Sequence, residues 1–293
     1  MMPLKIIVLA KQVPDTRNVG KDAMKDDGTV NRTVLPAIFN PDDLNALEQA
    51  LRLKECFPGT TVTIVTMGPG RAAEIIREGL YHGADNGYLL TDRAFAGADT
   101  LATSYALSMA IKKIGDFDLI ICGRQAIDGD TAQVGAQIAE KLGLPQITCA
   151  EDILSIEQSR ITVVRSIAGG IETVTSPIPV VITVNGSATP CRPRNAKLIQ
   201  KYKHALGNAE KAEMTKNGNK LPYSALYEKY PYLNITEWNV TDVNADINQC
   251  GLTGSPTKVK AIRNIVFQSK ENKTLSSSDH DIEALMIELI SNY

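Results

Sequence analysis

The feature that most constrains this fold is a repeated alternation of short apolar runs with helix-like stretches before Pro145. Four short apolar runs, the first of them rich in β-branched residues, predict buried strands at 5–11, 60–67, 87–90 and 118–122. The stretches between them carry apolar residues at helical spacing. Strands joined in this way by helices predict right-handed crossovers, and therefore an α/β fold with a doubly wound, mostly parallel sheet. Ligands of such sheets bind beyond the carboxyl ends of the strands, here after Leu9, Met67 and Cys122.

The segment 118–143 places a polar loop between a strand and a helix. The apolar run ends at Gly123, and Asp130 or Thr131 is the predicted N-cap of a helix that stops at Gly143. Amides at a helix N-terminus favour a phosphate, and Arg124 adds a cation there. A plain strand-to-helix turn is the alternative, but it needs fewer polar side chains than this loop carries: Arg124, Gln125, Asp128, Asp130, Thr131 and Gln133. Such side chains suit a ribose and a phosphate.

A second helix start is predicted at residues 39–43 (FNPDD). Asn40 is the expected N-cap, and Pro41 suits the first helical position. Asp42 and Asp43 favour the positive end of the helix. This helix follows the first strand, so its start is expected to form a wall of the pocket.

Residues 68–73 (GPGRAA) formally match the dinucleotide fingerprint Gly-x-Gly-x-x-Ala. That fingerprint normally follows the first strand of its unit, and Pro69 removes a backbone donor from the turn, so we expect only a tight turn that lines the pocket. A helix follows this turn, and the helix after it is predicted to have Asp99 or Thr100 as its N-cap. Four of its apolar residues are expected to face the sheet: Leu101, Tyr105, Met109 and Ile111.

After Pro145 the pattern changes to short segments joined by turns, which predicts antiparallel strand additions over 147–184. We therefore divide the chain into an α/β domain at 1–184 and a C-terminal region at 185–293. Four further predictions concern a hairpin-like excursion at 19–35, a basic surface arm at 185–203, an irregular surface insertion at 204–250, and an amphipathic helix at 282–290 capped by Ser278 and Asp279.

Composition excludes several classes of function. The formal net charge is -2, from 31 basic and 33 acidic residues, so nothing in the charge favours nucleic acid or an anionic membrane. No apolar run approaches the length of a membrane span, and the N-terminal apolar stretch is expected to be the first strand of a cytoplasmic protein. Five widely spaced cysteines are expected to be reduced. The histidines show no metal-ligand spacing and no nucleophile motif accompanies them, so neither a metal nor a catalytic side chain is predicted.

The loop resembles that of the beta (small) subunit of electron transfer flavoproteins, whose pattern is roughly G-[KR]-Q-A-I-D-x-D-x-x-Q-x-G. Nine positions match this pattern: Gly123, Arg124, Gln125, Ala126, Ile127, Asp128, Asp130, Gln133 and Gly135. Similar family signatures stand at 11–16 (KQVPDT), 39–43 (FNPDD), 66–70 (TMGPG) and 169–172 (GGIE), so the likeness covers about the first 200 residues. The resemblance implies a fold like that of the adenine-nucleotide alpha-hydrolases.

The resemblance also implies a cofactor and a partner. In the family, a larger alpha subunit holds an electron-carrying FAD, and most beta subunits bind AMP as a structural piece. A subgroup instead binds a second FAD in beta, which takes a hydride from NADH and bifurcates its electrons. This chain resembles the subgroup in its KQVPDT, IDGDTAQVG, GADTLATS and GSPTKV segments. FAD and AMP both stay open at this point.

The implied nucleotide site comprises four groups of residues. Leu9, Ala10 and Lys11 follow the first strand, Asn40, Pro41, Asp42 and Asp43 begin a helix, and Met67 and Gly68 follow the second strand. The fourth group is the loop, in which Gly123 is expected to admit the phosphate: Gly123, Arg124, Gln125, Ala126, Ile127, Asp128, Gly129, Asp130, Thr131, Ala132, Gln133 and Val134. If the ligand is FAD, a second phosphate is expected at Asp99, with Thr100 and Thr103 as hydroxyl donors.

Two other classes fit the residues poorly. An ATP-hydrolysing or adenylating enzyme needs a glycine-rich loop after the first strand, where this chain has LAKQVPDT, and a stress-type ATP-binding module needs glycine spacing that IDGDTAQVG lacks. The resemblance further implies a heterodimer with an alpha subunit, on which the region 185–293 is expected to pack. It also implies that residues 185–194 dock acyl-CoA dehydrogenases or similar redox partners.

Overall fold

The computed structural model describes residues 3–15, 36–257 and 274–291. The predicted excursion at 19–35 lies outside these ranges, as do Thr16 of the KQVPDT signature and the last two residues of GSPTKV.

The described chain alternates strands and helices as the sequence predicts. The strands are β1 (Lys5–Leu9), β2 (Gln12–Pro14), β3 (Ala37–Phe39), β4 (Thr61–Met67), β5 (Asn86–Leu90), β6 (Leu119–Gly123), β7 (Gln146–Glu157), β8 (Arg160–Ile167), β9 (Gly170–Pro177), β10 (Val180–Val184) and β11 (Thr236–Trp238). The α-helices are α1 (Pro41–Cys56), α2 (Ala73–His82), α3 (Thr100–Ile114), α4 (Val134–Leu142), α5 (Ala196–Tyr202), α6 (Asn208–Met214), α7 (Ser224–Lys229) and α8 (Asp279–Ser291).

A nine-stranded sheet, in the order β11-β5-β4-β1-β6-β10-β7-β8-β9, organises the fold. All neighbours from β11 to β7 are parallel, and only the β7-β8 and β8-β9 pairs are antiparallel. From β1 the chain moves outward through β4 and β5, then returns to the other side of β1 as β6. The order therefore reverses between β1 and β6, which is where sheets of this type bind ligands.

Helices cover both faces of the central strands, and the side chains of β1 alternate between the two layers. Ile6 and Val8 belong to the core beneath α1 and α2, whereas Ile7 and Leu9 belong to the core beneath α3 and α4. A strand buried on both faces carries a continuous apolar run, which explains why 5–11 and 118–122 lack a polar alternation. The doubly wound α/β prediction is confirmed.

The antiparallel prediction for 147–184 is correct for β7, β8 and β9 but wrong for β10. Strand β10 lies between β6 and β7 and is parallel to both. All five of its residues are buried, which is typical of a central parallel strand rather than of an antiparallel addition at the edge.

The interpretation of 204–250 as an irregular surface insertion holds for the exposed short helices at 208–230 but is wrong for the segment around β11. Its strand β11 extends the sheet in parallel beside β5, and Trp238 stacks on Tyr88 with ring centroids 4.0 Å apart. Leu233 and Ile235 are buried in the same core as α1 and α2. The division of the chain at residue 184 stays a prediction, and residues after it contribute to the sheet built before it.

Two helix predictions have mixed outcomes. Helix α3 begins at Thr100 with Asp99 as its cap, and Ile111 faces the sheet as expected, but Leu101 is 39% exposed and does not. Helix α8 begins as predicted, because Ser278 Oγ accepts a hydrogen bond from the amide of Asp281 at 3.3 Å. Among the described residues, no helix combines the length and the apolarity that crossing a bilayer requires.

Candidate functional site

Asp43 joins the two strand ends at the point where the sheet order reverses. Its Oδ2 accepts from the amide of Lys11 after β1, at 2.9 Å, and its Oδ1 accepts from the amide of Gly123 at the end of β6, at 2.8 Å. The side chain is buried. Burial raises the pKa of this carboxyl to about 7, against the opposing effect of the two backbone donors and of Asn40. The first turn of α1 thus fixes the mouth of the crevice between β1 and β6.

Asn40 holds the following loop in place. It occupies the N-cap position of α1, but its side chain makes no capping bond, contrary to prediction. Instead its Nδ2 donates to the carbonyl of Gln125 at 2.8 Å, and its Oδ1 accepts from the amide of Ile127 at 3.1 Å. Asn40 is fully buried, so both bonds are shielded from water.

The tip of the loop is closed by an ion pair and shaped by unusual backbone. Lys11 Nζ lies 2.7 Å from Asp128 Oδ1, which connects the end of β1 to the loop. Asp130 and Ala132 both have positive φ, at 51° and 52°, although neither is glycine. Left-handed non-glycine residues cost free energy and concentrate at ligand sites. Gln125 Nε2 steadies this turn by donating to Asp130 Oδ1 at 3.1 Å.

The start of α4 differs from the prediction and lacks a side-chain cap. Neither Asp130 nor Thr131 caps the helix, because the left-handed residues delay its start to Val134. Gln133 stands at the N-cap without a capping bond, since its Oε1 accepts from Thr100 Oγ1 at 3.0 Å. The first turn of α4 therefore has no side-chain cap, and the helix begins on the chain that follows the end of β6.

The start of α3 is closed by its own cap. Asp99 Oδ1 accepts from the amide of Ala102 at 3.0 Å, and Asp99 Oδ2 accepts from Thr257 Oγ1 at 2.7 Å. The amide of Asp99 donates to Ser255 Oγ at 2.8 Å. Two sequence segments that the resemblance links to the FAD-binding subgroup, at 97–104 and 254–257, thus meet at this helix N-terminus.

Gly123 was expected to admit a phosphate, but its surroundings show a different reason for a glycine at this position. A Cβ at this position would lie 2.5 Å from Asp43 Oδ1 and 2.7 Å from the carbonyl carbon of Asp42. Glycine is required there because α1 packs against the end of β6, so a larger residue disturbs the protein itself before it meets any phosphate. Gly135 has a similar role, since a Cβ there would lie 2.6 Å from Thr183 and 2.9 Å from Cys122 Sγ.

Most of the predicted residues surround one crevice, and one of them also lines a second cavity. Leu9 and Ala10 are buried at the end of β1, and Met67 packs in the core beneath α3 at the end of β4. Arg124 lines a different cavity with Cys149 and Arg165, on the β7 side of the sheet. The sequence did not reveal that Asp43 bridges two strand ends, or that Thr257 binds Asp99. The only signals for these contacts were the paired acids of FNPDD and the polar GSPT run.

Two findings bear on metal ligands and thiols among the described residues. Among them, no group of three or more His, Cys, Asp or Glu side chains could hold a metal ion. Burial raises the pKa of the Cys122 thiol, and it raises the pKa of Cys191 to about 12, so neither sulfur is a ready nucleophile.

The strand order and its reversal between β1 and β6 define an α/β protein of the doubly wound class. Residues 27–216 match the family described as "Electron transfer flavoprotein domain". The chain is 43% identical over 256 residues to the caffeyl-CoA reductase-Etf complex subunit CarD of Acetobacterium woodii, covering 87% of this chain and 86% of that protein. It is 42% identical over 266 residues to the electron transfer flavoprotein subunit beta of Megasphaera elsdenii, covering 88% and 87%.

A third relative matches a shorter stretch more closely. The acryloyl-CoA reductase electron transfer subunit gamma of Anaerotignum propionicum is 56% identical over 147 residues, or 50% of this chain and 54% of that protein. The chain belongs to the electron transfer flavoprotein family and is a beta subunit. Its function is electron transfer as part of a flavoprotein.

Proposed function

We propose that the crevice between β1 and β6 binds an adenine nucleotide through the start of α4. The main support is the first turn of α4, which has no side-chain cap. The side chain of its N-cap residue, Gln133, instead accepts a hydrogen bond from Thr100. Free helix amides attract a phosphate, and the loop held by Asn40 and Lys11 lies beside them. Asp128, Asp130 and Thr131 supply acceptors and a hydroxyl for a ribose.

We propose further that this nucleotide is FAD. The polar lining continues past α4 to Thr100 and Thr103 on α3 and to the segment 254–257, which is more polar surface than AMP needs. Bound FAD supplies hydride acceptance and one-electron transfer, so the chain's own residues need only bind and orient the group. The relatives whose names include CoA reductases support a redox partner of that kind.

The proposed assembly is a heterodimer with an alpha subunit. In it, the chain passes electrons between NADH or acyl-CoA dehydrogenases and other redox partners, by flavin-based electron bifurcation. The family membership supports the alpha subunit as the partner.

One observation favours AMP as the alternative ligand. The carboxylate of Asp99 already caps α3, and hydrogen bonds from Thr257 and Ala102 lower its pKa in spite of partial desolvation. A negative charge there disfavours a second phosphate at α3, where the sequence placed it. Thr100 is also engaged with Gln133, so it is not a free donor as expected. In the FAD proposal, both phosphates therefore lie near α4, and α3 meets hydroxyl groups.

The ligand is decided by titrating the nucleotide-stripped chain with FAD and with AMP. We expect FAD to bind, and Thr103→Val to weaken FAD by several-fold while AMP affinity changes little, because Thr103 stands on α3, outside the loop and the start of α4 that we propose for the AMP part. Thr61→Val is the matched control, since Thr61 is exposed at the opposite end of β4. Binding of AMP without FAD would refute the flavin assignment and leave the family unchanged. If neither FAD nor AMP binds, the proposal that the crevice is a nucleotide-binding site is refuted.

A further inference from the structure

His82 has two ring nitrogens that both face hydrogen-bond acceptors. It is the last residue of α2, and its side chain is 8% exposed. Nδ1 lies 2.7 Å from the carbonyl oxygen of Arg192, and Nε2 lies 3.2 Å from Glu78 Oε1. A carbonyl oxygen and a carboxylate accept hydrogen bonds, so each contact needs a proton on the ring nitrogen. Both contacts are therefore hydrogen bonds only when the imidazole carries two protons.

The surroundings of the ring support this doubly protonated form. Arg194 Nε, which can only donate, lies 2.9 Å from the same Glu78 oxygen, so that oxygen acts as an acceptor. The thiol of Cys191 lies 3.6 Å from Nδ1, and burial raises its pKa to about 12, so the thiol gives up no proton to the ring. His82 also ends α2, and the negative end of a helix dipole favours a cation.

The charged groups that line the cavity beside His82 balance, together with their ion-pair partners, when the ring is protonated. They come from α1, from α2 and the turn after it, and from the segment 191–195. The cations are Lys54, Arg192 and Arg194, and the carboxylates are Glu48, Glu55, Glu78 and Asp85. Three cations against four carboxylates leave one negative charge, which the second proton on His82 neutralises.

The contact from His82 belongs to a short series of bonds that attach the segment 191–195 to the helices. The amide of Arg192 donates to Glu48 Oε2 at 3.0 Å, and the amide of Asn195 donates to the carbonyl of Tyr81 at 2.9 Å. The bond from His82 to the Arg192 carbonyl lies between these two along the chain. This segment overlaps the arm at 185–194, for which docking of a redox partner is predicted.

We infer that doubly protonated His82 positions this segment, so that the attachment of the arm to α2 weakens as the pH rises. When the ring loses one proton, a lone pair faces either the carbonyl of Arg192 or the carboxylate of Glu78, and that contact becomes repulsive. The attachment is therefore strongest at low pH. Electron delivery through the arm should follow the same proton, and only this last step rests on the proposed function.

The test combines two NMR measurements on the full chain at about pH 5.5 and about pH 8.5, which bracket the ordinary titration of histidine. Nitrogen-15 spectra of the three imidazoles report the ring protons, and His82 is assigned by the signal that His82→Gln removes. We expect two protonated ring nitrogens at the lower pH and one at the higher pH. Amide exchange of Arg192 and Asn195, relative to the unfolded rate at the same pH, should show about tenfold less protection at the higher pH, because a charge-assisted hydrogen bond is lost.

Two variants and a control isolate the role of the proton. Glu78→Gln should keep the protection at both pH values, because its amide group can donate to a ring nitrogen that has lost its proton. His82→Gln should show weak protection at both pH values. His280→Gln is the matched control, since that side chain is 92% exposed, and it should behave like the wild type. Asp43 titrates in the same range but does so in every chain, so the comparison removes its contribution.

The outcomes separate the role of His82 from the proposed function. Equal wild-type protection at the two pH values would overturn the inference, and so would a singly protonated ring at the lower pH. Glu78→Gln with the pH dependence of the wild type would overturn it as well. These measurements need neither a nucleotide nor a redox partner. If protection follows the pH while stopped-flow electron delivery to the partner does not, the docking role of the arm is refuted and the positioning by His82 stands.

Discussion

Asp43 joins two strand ends at the site, and its ionisation makes the stability of the fold depend on pH. Its folded-state pKa of about 7 lies above the ordinary value of 3.8, because burial disfavours the charged carboxylate more than the backbone donors favour it. Because the pKa is raised, the contribution of Asp43 to the free energy of unfolding is fully present below about pH 4. It is lost as the pH rises through about 7, because the unfolded chain ionises this group first.

Asp43→Asn should remove this pH dependence. An amide accepts only one of the two backbone donors, so the variant is expected to be less stable than the wild type at about pH 4. The difference should shrink by on the order of 4 kcal/mol by about pH 8, as the wild type loses the contribution of Asp43. Urea denaturation across this range measures it, with the exposed Asp116→Asn as the control. A difference that stays constant with pH would contradict the assignment.

Substitution by alanine should destabilise the protein at Gly123 but leave its stability nearly unchanged at Gly129. Gly123→Ala places a Cβ 2.5 Å from Asp43 Oδ1 and 2.6 Å from Asp42 Cβ, so we expect a loss of about 1–3 kcal/mol in the free energy of unfolding. Gly129→Ala meets no atom within 4 Å and should change it by less than about 0.5 kcal/mol. Chemical denaturation of the two variants compares them directly. Equal stability would mean that α1 does not pack against the end of β6 as described.

At the scale of elements, the sequence predicts what periodicity and caps determine. The apolar runs predicted β1, β4, β5 and β6, and FNPDD and GADT predicted the starts of α1 and α3. The sequence analysis placed the start of α4 too early, because Asp130 and Ala132 adopt left-handed backbone. Their residue types alone do not predict that conformation. The place of β10 was missed because an apolar run does not specify its neighbours.

The site was predictable as a location but not as a network. The reversal of strand order between β1 and β6 follows from the alternation of strands and helices, and the polar loop marks its edge. The hydrogen bond between Asn40 and Gln125 joins residues 85 positions apart in the sequence. The hydrogen bond between Thr257 and Asp99 joins residues 158 positions apart. Such contacts depend on how α1 and α3 meet distant loops, and local sequence patterns carry no information on that.

The arm at 185–194 is bound to the body by one arginine and presents another. Arg192 donates from Nε and Nη2 to both oxygens of Glu48, at 2.9 Å each, and also contacts Glu55. Its side chain is 29% exposed, whereas that of Arg194 is 57% exposed and pairs with Glu78. Arg192 therefore positions the arm, and Arg194 is the residue of the two that can meet a redox partner.

Charge reversal at the two arginines should separate these roles. Arg192→Glu faces two glutamates and is expected to lower the free energy of unfolding by about 2 kcal/mol or more. Arg194→Glu should cost less than about 1 kcal/mol but slow electron delivery to the redox partner, with unchanged nucleotide content. Urea denaturation and stopped-flow reduction of the partner measure the two effects. Unchanged delivery in the Arg194→Glu chain would remove the arm from the docking surface.

At the scale of the whole molecule, the terminal helix α8 exposes several large apolar side chains. Ile287 is 60% exposed and Ile290 is 70% exposed, and Ile282, Met286 and Leu289 are exposed beside them. Contiguous exposed apolar side chains mark interaction sites in folded proteins. A heterodimer with a large, partly apolar interface, in which α8 packs on the alpha subunit, is the arrangement we propose for this helix.

The double variant Ile287→Ser and Ile290→Ser should weaken binding of the alpha subunit about tenfold or more, because both side chains lose apolar burial in the heterodimer. Nucleotide binding by the isolated chain should not change, since neither residue lines the crevice. Ile247→Ser is the matched control, because Ile247 is 59% exposed but lies outside α8. Calorimetric titration of each purified variant with the alpha subunit gives the affinities. An affinity equal to that of the wild type, or an equal loss in the Ile247→Ser chain, would show that α8 does not carry the interface.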